Sequence, residues 1–262
     1  MVWLYNFPSW LLALTLVLVF IALSWLSLLL VRRPLQRSST AALIDNGTVG
    51  WFFSGVSLLY GLLLGLLTVA TWQNYTQASG LASREAAQLS VLYRNLSGYA
   101  PVQRKPLHAQ LRRYTQHIVQ RSWPNQRLGI IDDEESTEFM RLQTLLLGYG
   151  PDTTAHELIH QQALQAFNNL AELRRLRAEA IGGGVPAVIW WVVLLGALLT
   201  LVFAGLFVVP SFWFHGLLNS LLAIMLGLLI FLIVSLDHPY WGEVSVSTNA
   251  YELVLKKVMI DF

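Results

Sequence analysis

Four apolar stretches, Trp10 to Val31, Trp51 to Trp72, Ala187 to Val209 and Phe212 to Leu236, limit what this chain can fold into. A helix needs about 20 residues to cross a hydrocarbon core roughly 30 Å thick, and each stretch meets that length. None carries Asp, Glu, Lys or Arg. One such charge at the bilayer centre costs about 2.5 kcal/mol or more, so four clean runs read as membrane spans and not as interior helices of a water-soluble domain. The expected class is an all-α membrane protein. Its transmembrane helices form two hairpins, 10–72 and 187–236, separated by a helical extramembrane bundle over 73–184. A tail, 237–262, is expected to pack on the bundle.

Composition agrees. Hydrophobic residues make up 55% of the chain and charged ones 12%, against about 25% charged in soluble domains. Trp10, Trp51, Trp72, Trp190, Trp191, Trp213 and Trp241 fall near the proposed span ends, where an indole keeps its N–H hydrated and its ring in the headgroup layer. The absence of cysteine excludes disulfides, thiolate metal sites and cysteine nucleophiles. The basic residues of the polar stretch lie beside acidic ones, so no nucleic-acid partner is expected. The first span lacks a basic leader and a small-residue cleavage pattern, which makes it a retained helix and not a signal peptide.

Arg32, Arg33 and Pro34 are expected to end span one, and a connector through Asp45, Asn46 and Gly47 to return the chain to span two. Leu81, Leu89, Leu92 and Leu96 continue a helical repeat beyond Trp72, so span two should project out of the bilayer until Gly98 and Pro101 stop it. An amphipathic segment is expected from Pro106 to Trp123, closed by Pro124. The acidic run Asp132 to Glu135 suits the positive end of a helix and has the wrong spacing for a calcium loop. Pro151, Asp152 and Thr153 should begin a long helix reaching Ile181. After span four, the alternation at 243–247 suggests an extended segment, and 251–259 a short helix. Arg32, Arg33 and Arg37 argue that the first connector is cytoplasmic, while Arg174, Arg175 and Arg177 argue the same for the polar domain.

Three constellations bear on function. Ser54, Ser57, Gly61, Gly65 and Thr68 recur at three- and four-residue steps and share one face of span two. Such a face either packs closely against another helix or lines a hydrated path. His156, Glu157 and His160 spell H-E-x-x-H on a predicted helix, a pattern that in zinc peptidases holds the metal between two imidazoles. A third ligand would have to come from Glu172, Glu179 or the tail, and Glu172 lies twelve residues on, roughly 18 Å up the same helix and out of reach. Asp237 stands where span four ends, as a candidate ion-handling carboxylate or a solvated helix terminus.

Two segments, Thr68 to Gly98 with its Ala-Ser-Arg-Glu run at 82–85, and Leu236-Asp-His-Pro-Tyr-Trp-Gly-Glu-Val-Ser-Val246, resemble the bestrophin-like family of bacterial and plant membrane proteins. With the four spans and the run from Arg177 to Pro186, the resemblance covers nearly the whole chain. It implies a homo-oligomer, with a pentamer favoured, whose second span lines a pore for a permeant ion, an anion by likeness to bestrophins. It also implies a bacterial inner membrane and a cytoplasmic bundle. Bestrophins narrow at a neck of bulky apolar residues, whereas this face of span two is small and hydroxylated. The function expected is an oligomeric ion channel, not an enzyme, needing no cofactor, with Ser54, Ser57, Gly61, Gly65 and Thr68 at the pore. The alternatives are a membrane zinc metallopeptidase using His156, Glu157 and His160, or a non-conducting scaffold or sensor.

Overall fold

The computed structural model describes Tyr5 and residues 7–37, 45–130 and 132–260. Among these the regular structure is helical: α1 Ser9–Arg37, α2 Asn46–Leu96, α3 Pro101–His117, a π-helical turn Ile118–Ser122, α4 Trp123–Arg127, α5 Asp133–Leu147, α6 Thr154–Ile181, α7 Ala187–Gly205, α8 Phe212–Asp237 and α9 Asn249–Lys257. Four of them, α1, α2, α7 and α8, are long and apolar enough to cross a membrane. Helices satisfy their own backbone donors and acceptors, which is the condition for crossing lipid.

Two compact units divide the chain. The membrane unit takes the described residues of Phe7–Gln73 and Gly184–Asp237. Here α1 packs chiefly on α8 and also on α7, around buried Phe20, Tyr60, Leu64, Val193, Leu201 and Ile230. Glycine makes these approaches possible. A Cβ on Gly196 would stand 2.5 Å from the Tyr60 ring, one on Gly216 2.6 Å from the Trp25 ring, and one on Gly227 3.0 Å from the Val17 backbone. At the connector end, Asn46 holds Val208 by two reciprocal hydrogen bonds of 2.8 Å, its amide copying a strand pair. Trp10, Trp51, Trp72, Trp191 and Trp213 are exposed on the protein surface, as interfacial indoles must be; Trp190 is half-buried.

The bundle unit takes the described residues of 74–183 and 238–260 together with Tyr5. Its core gathers Ala78, Ala82, Leu89, Leu92 and Leu96 of α2, Leu107, Leu111 and Tyr114 of α3, Phe139 and Leu142 of α5, Phe167 and Leu170 of α6, and Tyr251 of α9. Asp132 caps α5 by accepting the Glu134 N–H, with Asp133, Glu134 and Glu135 in the first turn. Thr153 caps α6 in the same way through the His156 N–H.

Several boundaries differ from the sequence reading. Helix α1 continues through Pro34 to Arg37; residues 38–44 of the expected connector, and Asp261 and Phe262 of the tail, lie outside the described residues. Helix α3 begins at Pro101, whose ring suits a first helical turn, and Pro106 sits inside it. Pro124 does not close the segment. The helix widens instead, with the Trp123 N–H bonding back to the Ile118 carbonyl, and continues to Arg127. A π turn absorbs the extra residue, so the proline's missing N–H need not break the helix. Helix α7 stops at Gly205, four residues before the expected Val209. At 243–244 the chain turns, 245–247 carry no regular structure, and the Val246 N–H reaches the Pro239 carbonyl at 2.8 Å.

Candidate functional site

The small face of α2 is open within the chain at Ser54, Gly61 and Gly65. Tyr60, Leu64, Leu67 and Thr71, at steps of four, three and four, turn into the membrane unit's core and are buried, and the Tyr60 hydroxyl donates to the Val193 carbonyl at 2.9 Å. One quarter-turn away, a Cβ built on Gly61 or Gly65 meets nothing within 4 Å. Ser54 is exposed and Thr68 half-buried, each donating its hydroxyl to the carbonyl four residues back, Gly50 and Leu64, at 2.8 Å. Ser57 is half-buried, and its hydroxyl finds no partner among the described residues. Further round, Leu58, Leu62, Leu66 and Val69 are exposed. The chain therefore leaves two unlike surfaces on one helix, a small hydroxylated stripe and a leucine face. Close helix packing inside the chain uses Gly196, Gly216 and Gly227 instead.

Asp237 is buried, and its carboxylate accepts the Val185 N–H at 2.6 Å. It fixes the approach to α7 against the end of α8.

The H-E-x-x-H pair is engaged elsewhere. His156 Nδ1 contacts the Asp152 carboxylate one turn earlier, and His160 Nδ1 lies 2.6 Å from the Tyr99 hydroxyl, edge-on to the Tyr149 ring. Burial holds the His160 imidazole below its ordinary pKa. Among the described residues the His, Asp and Glu ligand atoms close enough to share a metal are those of His117, Asp132 and Glu134, not those of His156 and His160. In that group His117 Nε2 is 2.8 Å from Asp132, whose carboxylate also receives Ser122 and caps α5.

The most elaborate polar arrangement lies in the bundle interior and was not foreseen as a unit. Arg177 on α6 is 1% exposed. Its Nε lies 2.6 Å from Glu85 Oε2, and its Nη2 3.3 Å from Glu85 Oε1 and 2.6 Å from Glu135 Oε1. Tyr251 donates to Glu85 Oε2 at 3.0 Å, Arg174 reaches Glu135 at 3.2 Å and Ser136 at 2.7 Å, and Trp123 offers its ring face to Arg177. Two cations face two carboxylates, so the cluster is neutral. Burial alone would lower the Arg177 pKa, but Glu85 and Glu135 hold it well above the ordinary value. Burial pushes Glu135 up, and Arg177, Ser122 and Arg174 bring it below the usual carboxylate range. Burial, reinforced by Glu85, keeps the Tyr251 hydroxyl protonated and donating.

This cluster pins α2, α5, α6 and α9 together. The sequence held one signal for it: Glu85 falls on the buried stripe of Ala78, Ala82, Ala86 and Leu89, and a buried carboxylate requires a cation. It also alters the charge argument for orientation. Arg174 and Arg177 are tied to carboxylates in the bundle and do not act as free membrane-flanking charges.

The sequence matches the Bestrophin-like domain family over residues 18–251. A structure of a bacterial Bestrophin homolog from Klebsiella pneumoniae, carrying a point substitution, superposes with a TM-score of 0.63 at 14% identity, covering 94% of this chain and 97% of that one. The same homolog solved by zinc phasing gives 0.61 at 14% identity, over 94% and 96%. No match was found among curated proteins. Since the family match spans most of the chain and the fold is shared over nearly its whole length, this integral membrane protein belongs to the bestrophin-like family.

Proposed function

We propose that the protein is a homo-oligomeric ion channel in which α2 of each subunit turns Ser54, Ser57, Gly61, Gly65 and Thr68 toward a shared hydrated axis. The observation that carries this reading is the openness of that stripe. A face on which a Cβ at Gly61 or Gly65 meets no neighbour and Ser54 is exposed is suited to a symmetry axis, while the adjoining Leu58, Leu62 and Leu66 suit lipid or a neighbouring subunit. A pentamer, and an anion as the permeant species, follow by likeness to bestrophins, as do a bacterial inner membrane and a cytoplasmic bundle.

The hydroxyls give this reading a chemical consequence. An anion is solvated by hydrogens, and in the subunit the Ser54 and Thr68 hydrogens are held by helix carbonyls. Passage of an anion requires them to rotate outward; the Ser57 hydroxyl oxygen, buried and without a partner among the described residues, has no helix carbonyl to give up but must turn out of the chain's interior.

The test is conduction through purified protein in planar bilayers, with Gly61→Phe and Ser57→Phe as variants. The proposal expects currents that either substitution reduces at least several-fold. Currents unchanged by both would refute the lining, and no current from correctly assembled protein would favour the scaffold alternative.

A further inference from the structure

A cavity of about 290 Å³ opens in the membrane unit beside the connector that joins α7 to α8. That is near the lower end of the roughly 300–1,000 Å³ typical of small-molecule sites. Its walls are largely apolar, with Phe53, Phe207, Leu218 and Leu222 prominent, and no Asp, Glu, Lys or Arg lines it.

Two polar side chains, one helical turn apart on α8, also line the cavity: His215, 2% exposed, and Asn219, 4% exposed. His215 Nε2 lies 2.9 Å from the Ala204 carbonyl, a contact that needs the ring hydrogen on Nε2 and leaves Nδ1 to act as an acceptor. Neither His215 Nδ1 nor the Asn219 amide nitrogen has a partner among the described residues. Leaving a buried polar group unmatched costs about 1–3 kcal/mol. The neighbouring hydroxyl on α8 does not relieve it, because Ser220 donates to the Gly216 carbonyl and accepts from the Trp25 indole N–H.

We infer that this cavity binds a neutral amphiphile by its hydroxyl, which donates to His215 Nδ1 and accepts from the Asn219 amide while the aliphatic body fills the apolar walls. One hydroxyl matches one acceptor and one donor. A carboxylate or phosphate would meet no cation among the lining residues, the Arg32 guanidinium beside the connector being held on the Pro210 carbonyl at 3.2 Å and over the Phe212 ring, and a pure hydrocarbon would leave both polar groups unmatched. Trp213 and Phe214, exposed at the start of the same helix, belong to the aromatic layer that lies at headgroup depth. The ligand therefore enters from the bilayer interface, hydroxyl foremost.

The experiment uses the full chain in nanodiscs with a long-chain alcohol bearing a diazirine as photoprobe, and decanol, decane and decanoate as competitors. Expected is labelling within residues 204–222 that decanol suppresses and decane and decanoate do not. Asn219→Leu, which removes the donor, and Leu222→Trp, which fills the space and keeps the polar pair, should each weaken labelling roughly three- to tenfold with an unchanged elution profile. The competition in the wild-type protein stands even if one variant fails to fold. Suppression by decane as strong as by decanol, labelling that survives both variants, or labelling confined to other segments would overturn the inference.

Discussion

Arg177 and Glu85, 92 residues apart in the chain, meet through two hydrogen bonds at the centre of the bundle, where neither is exposed by more than 1%. The pair joins the extramembrane half of the pore-lining candidate α2 to the long helix α6. Its chemistry has consequences that can be measured.

Arg177→Met removes one cation from a cluster that was neutral and leaves Glu85 and Glu135 buried together. Breaking a buried pair on one side costs about 3–5 kcal/mol. Unfolding of the bundle in detergent should show a loss of that order, and Glu85→Gln combined with Arg177→Met should recover part of it. A loss equal to that of an exposed pair such as Arg175 and Glu179 would mean that the cluster carries no special weight.

Acid should loosen the bundle. Glu135 has a folded pKa lowered from 4.5, so its contribution to stability is complete above about pH 4.5 and is lost as the pH falls through the folded value. Asp132 shifts the same way: burial raises it, and hydrogen bonds from His117 and Ser122 bring it lower. Unfolding measured against pH for wild type and Glu135→Gln should give a constant difference above that window and a shrinking one below it.

Glycines of the membrane unit should divide into two groups. Gly61→Ala adds a methyl into open space and removes a helix glycine, so subunit stability should rise by about 0.5–1 kcal/mol. Gly196→Ala drives a Cβ against the Tyr60 ring and should destabilise, by about 1–3 kcal/mol. Thermal unfolding of the two variants in the same detergent checks the contrast.

Metal should not follow the histidine pair. His156 and His160 are engaged with Asp152 and Tyr99, so His156→Ala and His160→Ala should leave the zinc content of the purified protein unchanged. Stoichiometric zinc lost in both variants would revive the peptidase alternative.

The spans and the α5 and α6 starts were legible in the sequence because each depends on local chemistry: an apolar run of bilayer length, an acidic first turn, a threonine cap. Pro124 misled because a π turn before it gives its ring room, and Pro106 because the first-turn proline of α3 is Pro101. The packing glycines could not be told from the open ones, since Gly61 and Gly196 differ only in what stands opposite. Arg174 and Arg177 read as flanking charges until their distant partners were in place. The stripe from Ser54 to Thr68 was visible as a periodicity, but its openness is a property of the folded subunit.

The most direct test of the central claim uses the chain's lack of cysteine. Gly61→Cys and Gly65→Cys place single thiols on the open stripe, and a charged, membrane-impermeant thiol reagent is applied to reconstituted protein while current is recorded. Modification at both positions with a fall in current is expected, and none at Leu67→Cys on the packed face. Thiols at Gly61 and Gly65 that stay unmodified, or modification that leaves the current untouched, would contradict that claim.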